Sequence, residues 1–305
     1  MLAKRWHLRA VRRALPVFAA VGLIAAPAVA SVRVPAIVTP ASGEHHPGKA
    51  VFAELVTPDI GISKRFYGGV FGWQFVDVPG GNAPYAEAYD NGAAVAGVVQ
   101  KPVPAGGHAQ PAWLNFFSVA DADAAARSVA QAGGRVLVAP HDLADRGREA
   151  VLADPQGAVF AILASSSGDP PDVLVPPGDF IWRSLMTKDP AAAGAFYKSL
   201  FGYETFALPA SPGQTHMLLA TENYARASDN SMPVERPDMH PHWLAFVRVE
   251  GVRHTLEKIT ALGGKILVEP RVDRHGGLIA VVADPLGAPF GLMEWTADDS
   301  NQVSK

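Results

Sequence analysis

Cysteine is absent from the 305 residues. That excludes disulfides, thiolate metal sites and cysteine nucleophiles together. Also missing are Gly-x-Gly-x-x-Gly, a P-loop, a nucleophile elbow and a Ser-His-Asp pattern, the usual sequence marks of dinucleotide, nucleotide and acyl-transfer chemistry. Basic residues are scarce after the first 30 positions. That opening stretch takes five of the 26 basic residues (Lys4, Arg5, Arg9, Arg12, Arg13) and none of the 29 acidic ones, leaving 21 against 29, a net of −8. A surface this acidic, without a basic run, argues against nucleic-acid binding. Long apolar runs are lacking as well. The longest candidate, Ala14 to Ala26, contains Pro16, is followed by Pro27, and leads to Ala28-Val29-Ala30. A basic start, a short apolar run and an Ala-x-Ala site predict a signal peptide over 1–30, cleaved after Ala30. The product would be periplasmic or secreted, with no membrane contact after cleavage. An uncleaved membrane anchor is the alternative, though the run is short for a span.

What the sequence does have is ordinary globular composition, 49% hydrophobic and 18% charged, with length for two domains of roughly 120 residues. One stretch occurs twice. Asp59 opens Asp-(x)6-Phe-Tyr-(x)3-Phe-Gly-Trp, and Asp189 opens the same pattern ending in Tyr203, so Phe66-Tyr67 and Phe71-Gly72 recur 130 positions later at Phe196-Tyr197 and Phe201-Gly202. The same shift relates Trp113 to Trp243, Gly133-Gly134 to Gly263-Gly264, Pro140 to Pro270 and Asp154-Pro155 to Asp284-Pro285. A register held this long predicts two copies of one domain, over 49–165 and 179–297. Residues 31–48, rich in Pro, Ala, Ser and Gly, read as a flexible tether without a core. Residues 166–178 read as a proline-rich linker, and 298–305 as a polar tail. Within each copy, strand alternation, capping aspartates, terminal glycines and Asn91-Gly92-type turns predict strand–helix–strand–strand–strand, twice over. Trp113, Trp243, Phe66, Tyr67, Phe196 and Tyr197 are expected in the core.

These motifs, together with Ala132-Gly133-Gly134 and the Asp-Pro-x-Gly turns, resemble the vicinal oxygen chelate superfamily, the glyoxalase/bleomycin-resistance/extradiol-dioxygenase fold, over about residues 50–296. The resemblance implies an α+β fold of tandem glyoxalase-like domains, each built from two paired βαβββ modules whose curved mixed sheet holds a cleft. It also implies where a divalent metal is usually held. Counting from the capping aspartates places those positions at Phe52, Leu114, Trp182 and Leu244 in first strands, and at Ala161 and Gly291 in last strands. None can ligate a cation, so no cofactor is expected. A shifted site built from Glu54, Glu87, His242 or Glu294 is the alternative.

Glu54 is the oddity of the first strand, an acid inside an apolar run that must be solvated, paired or functional. It is the candidate catalytic residue, as a general base, and Ser184 stands at its place in the second copy. The expected binding residues are the aromatics of the inner strands, Phe52, Tyr85, Tyr89, Phe116, Trp182 and Phe246. Arg248 joins them as an anion anchor or partner of Glu54, and His242 as half of a His240/His242 pair. His45-His46 is expected to be solvated. An aromatic lining suits a flat or apolar ligand, unless those rings simply fill the cleft. The favoured function is an exported, metal-free protein that binds a small apolar or aromatic molecule, as the bleomycin-resistance branch does by sequestration. The rivals are a lyase, isomerase or dioxygenase of the same superfamily and a non-catalytic tandem scaffold. The sequence leaves the ligand and the oligomeric state open.

Overall fold

The computed structural model describes residues 33–102, 110–210, 212–233, 239–274 and 276–295. The first module runs β1 (Ala50–Thr57), α1 (Ile60–Phe71), β2 (Gln74–Asp77), β3 (Tyr85–Asp90) and β4 (Ala93–Gln100). The second repeats the plan as β5 (Ala112–Ser118), α2 (Ala122–Gln131), β6 (Arg135–Leu143), β7 (Gly147–Ala153) and β8 (Val159–Ser165). Copy two supplies β9 (Phe180–Thr187), α3 (Pro190–Phe201), β10 (Glu204–Ala207), β11 (His216–Thr221) and β12 (Tyr224–Ser231). It ends with β13 (His242–Val249), α4 (Val252–Ala261), β14 (Lys265–Val272), β15 (Leu278–Ala283) and β16 (Pro289–Glu294). Among the described residues no helix is long and apolar enough to cross a membrane.

The local chemistry explains the helix ends. Asp59, Asp121 and Asp189 each accept from a backbone N–H three residues on, at 2.9, 2.9 and 3.0 Å, which satisfies an orphan donor of the first turn. Gly72 and Gly202 close α1 and α3 at φ 82° and 76°, where a side chain would be strained. Helix α4 starts at Gly251, which has no side chain to cap it. Glu294 does the work instead, accepting from Val252 N at 2.8 Å and Leu278 N at 2.9 Å. It therefore serves as a structural cap, with one N–H on each carboxylate oxygen.

The strands form two eight-stranded mixed sheets, β2-β3-β4-β1-β5-β8-β7-β6 and β10-β11-β12-β9-β13-β16-β15-β14. In each, the first strands of the two modules pair antiparallel at the centre. The register slips once there, leaving Val51 and Ile181 as extra residues at the starts of β1 and β9. A bulge of this kind turns two consecutive side chains to one face. Val51 with Phe52, and Ile181 with Trp182, accordingly join the clusters on the sheet faces opposite their helices.

The helix-covered faces of the two sheets pack against one another. One core joins Leu55, Phe66, Tyr67 and Trp113 of copy one to Val247, Leu256, Val282 and Phe290 of copy two. The other joins Phe117, Val129 and Phe160 to Leu185, Phe196, Tyr197 and Trp243. Two matching polar chains cross this junction. Trp113 Nε1 donates to Tyr67 Oη at 3.0 Å, and Tyr67 donates to Asp284 Oδ2 at 3.2 Å. Trp243 Nε1 donates to Tyr197 Oη at 2.9 Å, and Tyr197 to Asp154 Oδ2 at 3.1 Å. Each aspartate's other oxygen accepts two N–H groups of its own Asp-Pro-x-Gly turn. The repeated tyrosine and the repeated turn thus bind each copy to the other, and the buried tyrosine, tryptophan and aspartate of each chain of bonds are paired.

The expected tether is not a free segment. Val34 and Ile37 are buried, and Ile37 and Val38 pack on Phe52, Phe116, Ala161 and Leu163 on the helix-free face of the first sheet. Apolar residues among the prolines gain burial there, which composition alone does not reveal.

Candidate functional site

Two places combine accessible space or perturbed chemistry with the residues singled out from the sequence. The first is a cavity of about 420 Å³. Its walls come from the starts of β1, β4, β9 and β12 and from residues 35–39 and 170–175. Phe52, Tyr89 and Trp182 are among its lining residues, so residues of both copies border one volume. The Phe52 and Trp182 rings belong to different clusters, on the helix-free faces of the first and second sheet.

One end of the cavity is held by an ion network. Asp172 Oδ1 meets Lys49 Nζ and Arg226 Nη1, both at 2.6 Å. Arg226 also reaches Glu222 at 3.1 Å, and His46 Nδ1 meets the same Glu222 oxygen at 2.7 Å. His46, expected in solvent, is thereby tied to copy two. Burial works against the Asp172 charge, but the hydrogen bonds from Arg226 and Lys49 outweigh it and hold the carboxyl below its usual range. Among the described residues, His46, Asp172 and Glu222 are the group whose ligand atoms come within 4.8 Å of one another. Two cations already contact these carboxylates, so a divalent ion would meet repulsion as well as ligands. His, Asp and Glu are ordinary ligands of a divalent ion, but here Lys49, Arg226 and His46 already occupy the carboxylates.

The second place is the helix-free face of the first sheet beside Glu54. A row of paired residues crosses it: Glu87 opposite Gly97, Gly97 opposite Glu54, Glu54 opposite Leu114. Glycine at 97 is required, because the Tyr85 hydroxyl lies 2.2 Å from where a Cβ would stand. Tyr85 donates to Glu87 Oε2 at 3.2 Å, and Arg146 Nη2 donates to Glu87 Oε1 at 2.7 Å. Arg146 also donates to Pro35 O at 2.7 Å, and its guanidinium lies 4.2 Å from the Phe52 ring centroid. Glu87 is pushed above the usual carboxylate range by burial, which Arg146 only partly offsets. Glu54 keeps a small accessible surface at the bottom of this group. Burial first, and then the Glu149 charge, push it up to about 8, against the opposing Arg146 and Lys101. At neutral pH Glu54 is therefore mostly a neutral acid, a hydrogen-bond donor before it is a base.

The other expected site residues lie elsewhere. Phe116 is buried packing under Ile37, and the Phe246 ring covers Gly291, where a Cβ would fall 2.0 Å from it. These two fill the sheet face instead of lining a ligand site. Arg248 is neither anion anchor nor partner of Glu54, since it donates to Trp295 O at 2.9 Å and Val175 O at 2.7 Å. His242 donates from Nδ1 to His240 O at 2.7 Å, and burial lowers its pKa. The positions where a metal was counted hold packed side chains: Phe52 opposite Phe116, Phe116 opposite Ala161, Phe246 opposite Gly291. Nothing there can hold a cation.

Sequence reading missed Arg146, Glu149, Asp172, Arg226 and Arg183. For Arg183 a signal existed, since it interrupts the run from Phe180 to Thr187 as Glu54 interrupts β1. Arg146 and Asp172 lie in a turn and a linker, where no pattern marks a buried charge.

Comparison with known proteins agrees with this architecture. Residues 49–162 match the model of the glyoxalase/bleomycin resistance protein/dioxygenase superfamily, and residues 183–293 match that of a glyoxalase-like domain. A protein of Mycobacterium tuberculosis named "Putative glyoxylase CFP32" is 30% identical over 257 residues, covering 84% of this chain and 98% of its own. An anthracycline biosynthesis protein of Streptomyces peucetius is 31% identical over 266 residues, covering 81% of this chain and 94% of its own. Among solved structures, the Mn(II)-bound glyoxalase of Novosphingobium aromaticivorans superposes with a TM-score of 0.60 at 15% identity, over 85% of each chain.

Proposed function

The chain belongs to the glyoxalase/bleomycin resistance protein/dioxygenase superfamily, a fold that serves many chemistries, and we propose that it binds a small apolar or aromatic molecule without the metal of that superfamily. The observation that carries this reading is the cavity of about 420 Å³ bordered by residues of both copies, Val95, Phe180 and Ala225 among them. Concave volumes lined by aromatic rings and a few polar groups are where small molecules bind. The superfamily's ligand positions hold Phe, Leu, Trp, Ala and Gly, so Lewis-acid chemistry at those positions has no donor set. In chelator-dialysed protein, aromatic compounds should raise the melting temperature by several degrees at saturating concentration. Ala225→Trp, which fills the cavity from a lining position, should abolish the rise while leaving the protein folded. No rise with any compound would refute the reading.

We also propose that the protein is exported. Residues 1–32 lie outside the described part, so this rests on the leader pattern. The purified mature chain should begin at Ser31 by mass spectrometry. A full-length mass in the membrane fraction would favour the uncleaved anchor.

A second reading, an enzyme of the superfamily, has one observation in its favour: Glu54, pushed up to about 8 by burial and by Glu149. A carboxyl held near neutrality suits proton transfer. Turnover of α-oxoaldehyde adducts or catechols should then disappear in Glu54→Gln. Unchanged turnover would remove Glu54 from the chemistry.

A further inference from the structure

The cavity has one cation on its wall whose hydrogen bonds are incomplete. Arg183 lines it and is only 4% exposed. Its Nη1 donates to the carbonyl of neighbouring Trp182 at 3.1 Å, and its guanidinium lies 4.8 Å from the centroid of Phe180, another lining residue. Its Nε has no partner. An unmet buried donor of a charged group costs free energy, and guanidinium donors are seldom left so.

The other lining cations differ in this respect. Lys49 is engaged by Asp172 and Pro170 O, and Arg226 by Asp172, Glu222 and Thr221. Arg183 makes no contact ion pair among the described residues. The charge that acts on it belongs to Asp179, whose Oδ1 is taken by Phe180 N at 2.6 Å. The repeat gives no structural reason for this arginine, because Ala53 occupies the same place in copy one. Burial draws Arg183 down to about 10 and pushes Asp179 up to about 6, so neither charge is well compensated as the chain stands.

An anion entering the cavity would supply the missing acceptor. A carboxylate matches a guanidinium fork in shape and charge. Phe180, against which the guanidinium lies, and Val95 line the cavity and supply the apolar remainder. We infer that the cavity takes a molecule with a carboxylate on an aromatic or apolar body, the carboxylate meeting Arg183 and the body lying against Phe180 and Val95. This rests on the reading that the cavity is the binding site, and it names the chemical class of ligand.

The test uses the mature full-length protein and two matched probes, 2-naphthoate and the uncharged 2-naphthylmethanol, in isothermal titration at pH 7.5. The acid should bind at least about tenfold more tightly than the alcohol, the size of a charge-assisted hydrogen bond. Arg183→Met should remove that preference and leave binding of the alcohol unchanged. If the methionine variant does not fold, Arg183→Gln takes its place, and the wild-type ratio of acid to alcohol still decides. Equal binding of the two probes, or a preference that survives loss of the arginine, overturns the inference while the cavity reading stands. Binding of neither probe overturns both.

Discussion

Arg146→Met is expected to lower the stability of the folded protein by about 3–5 kcal/mol at pH 8, as for other buried ion pairs that lose one member. Arg146 is 2% exposed and its partner Glu87 is 0% exposed. Their contact of 2.7 Å is the charge that lets Glu87 exist ionised under the sheet face. Without Arg146, Glu87 keeps only the Tyr85 hydroxyl at 3.2 Å. The N-terminal segment loses the hydrogen bond at Pro35 O and the packing over Phe52. Glu87 already has a raised pKa from burial, and loss of Arg146 raises it further. A carboxyl raised in the folded state contributes its stability at low pH and loses it as pH rises from the unfolded value toward the folded one. The loss in Arg146→Met should therefore be smaller at pH 5 than at pH 8. Adding Glu87→Gln removes the stranded charge and should recover most of the pH 8 deficit. Urea unfolding of the three proteins at both pH values checks this. A loss below about 1 kcal/mol, the scale of an exposed pair, would mean that the pair is more solvated than described.

Glu54→Gln is expected to make the protein more stable at alkaline pH, by about 2 kcal/mol at pH 9, and to change it little near pH 4. The folded protein holds the Glu54 proton up to about 8, whereas an unfolded chain releases it near 4.5. Between those values the folded state binds more protons than the unfolded state, so stability falls as pH rises. Linkage puts the ceiling at about 5 kcal/mol, and the residual exposure of Glu54 reduces this by roughly half. Glutamine keeps the size and the hydrogen-bonding capacity and removes the ionisation. Unfolding free energies of wild type and variant between pH 4 and pH 9 should converge at the acid end and diverge at the alkaline end. Parallel curves would show that Glu54 ionises normally, and with that the case for a neutral acid on this sheet face would be lost.

The architecture was legible because the chain states it twice. Capping aspartates, terminal glycines and strand alternation are local rules, and the 130-residue register repeated each of them. The site was legible only in part. Alternation pointed to Phe52, Tyr89 and Trp182 as inner-strand residues, but not to the cavity that residues of both copies border, and the bulges at Val51 and Ile181 leave no mark in the sequence. The wall built from 35–39 and 170–175 comes from segments whose composition reads as linker. Docking of such segments depends on distant surfaces, here Phe52, Phe116 and Leu163 under Ile37. Arg248 was misplaced for a related reason. Its strand was identified, but the carbonyls of Val175 and Trp295 that hold it are 73 and 47 residues away.

The most direct test of the account is a crystal structure of chelator-treated protein grown with 2-naphthoate. The account predicts ligand density in the cavity beside Arg183 and Phe180, with no metal. Density against Glu54, or bound to a metal ion on either sheet face with the cavity vacant, would contradict it.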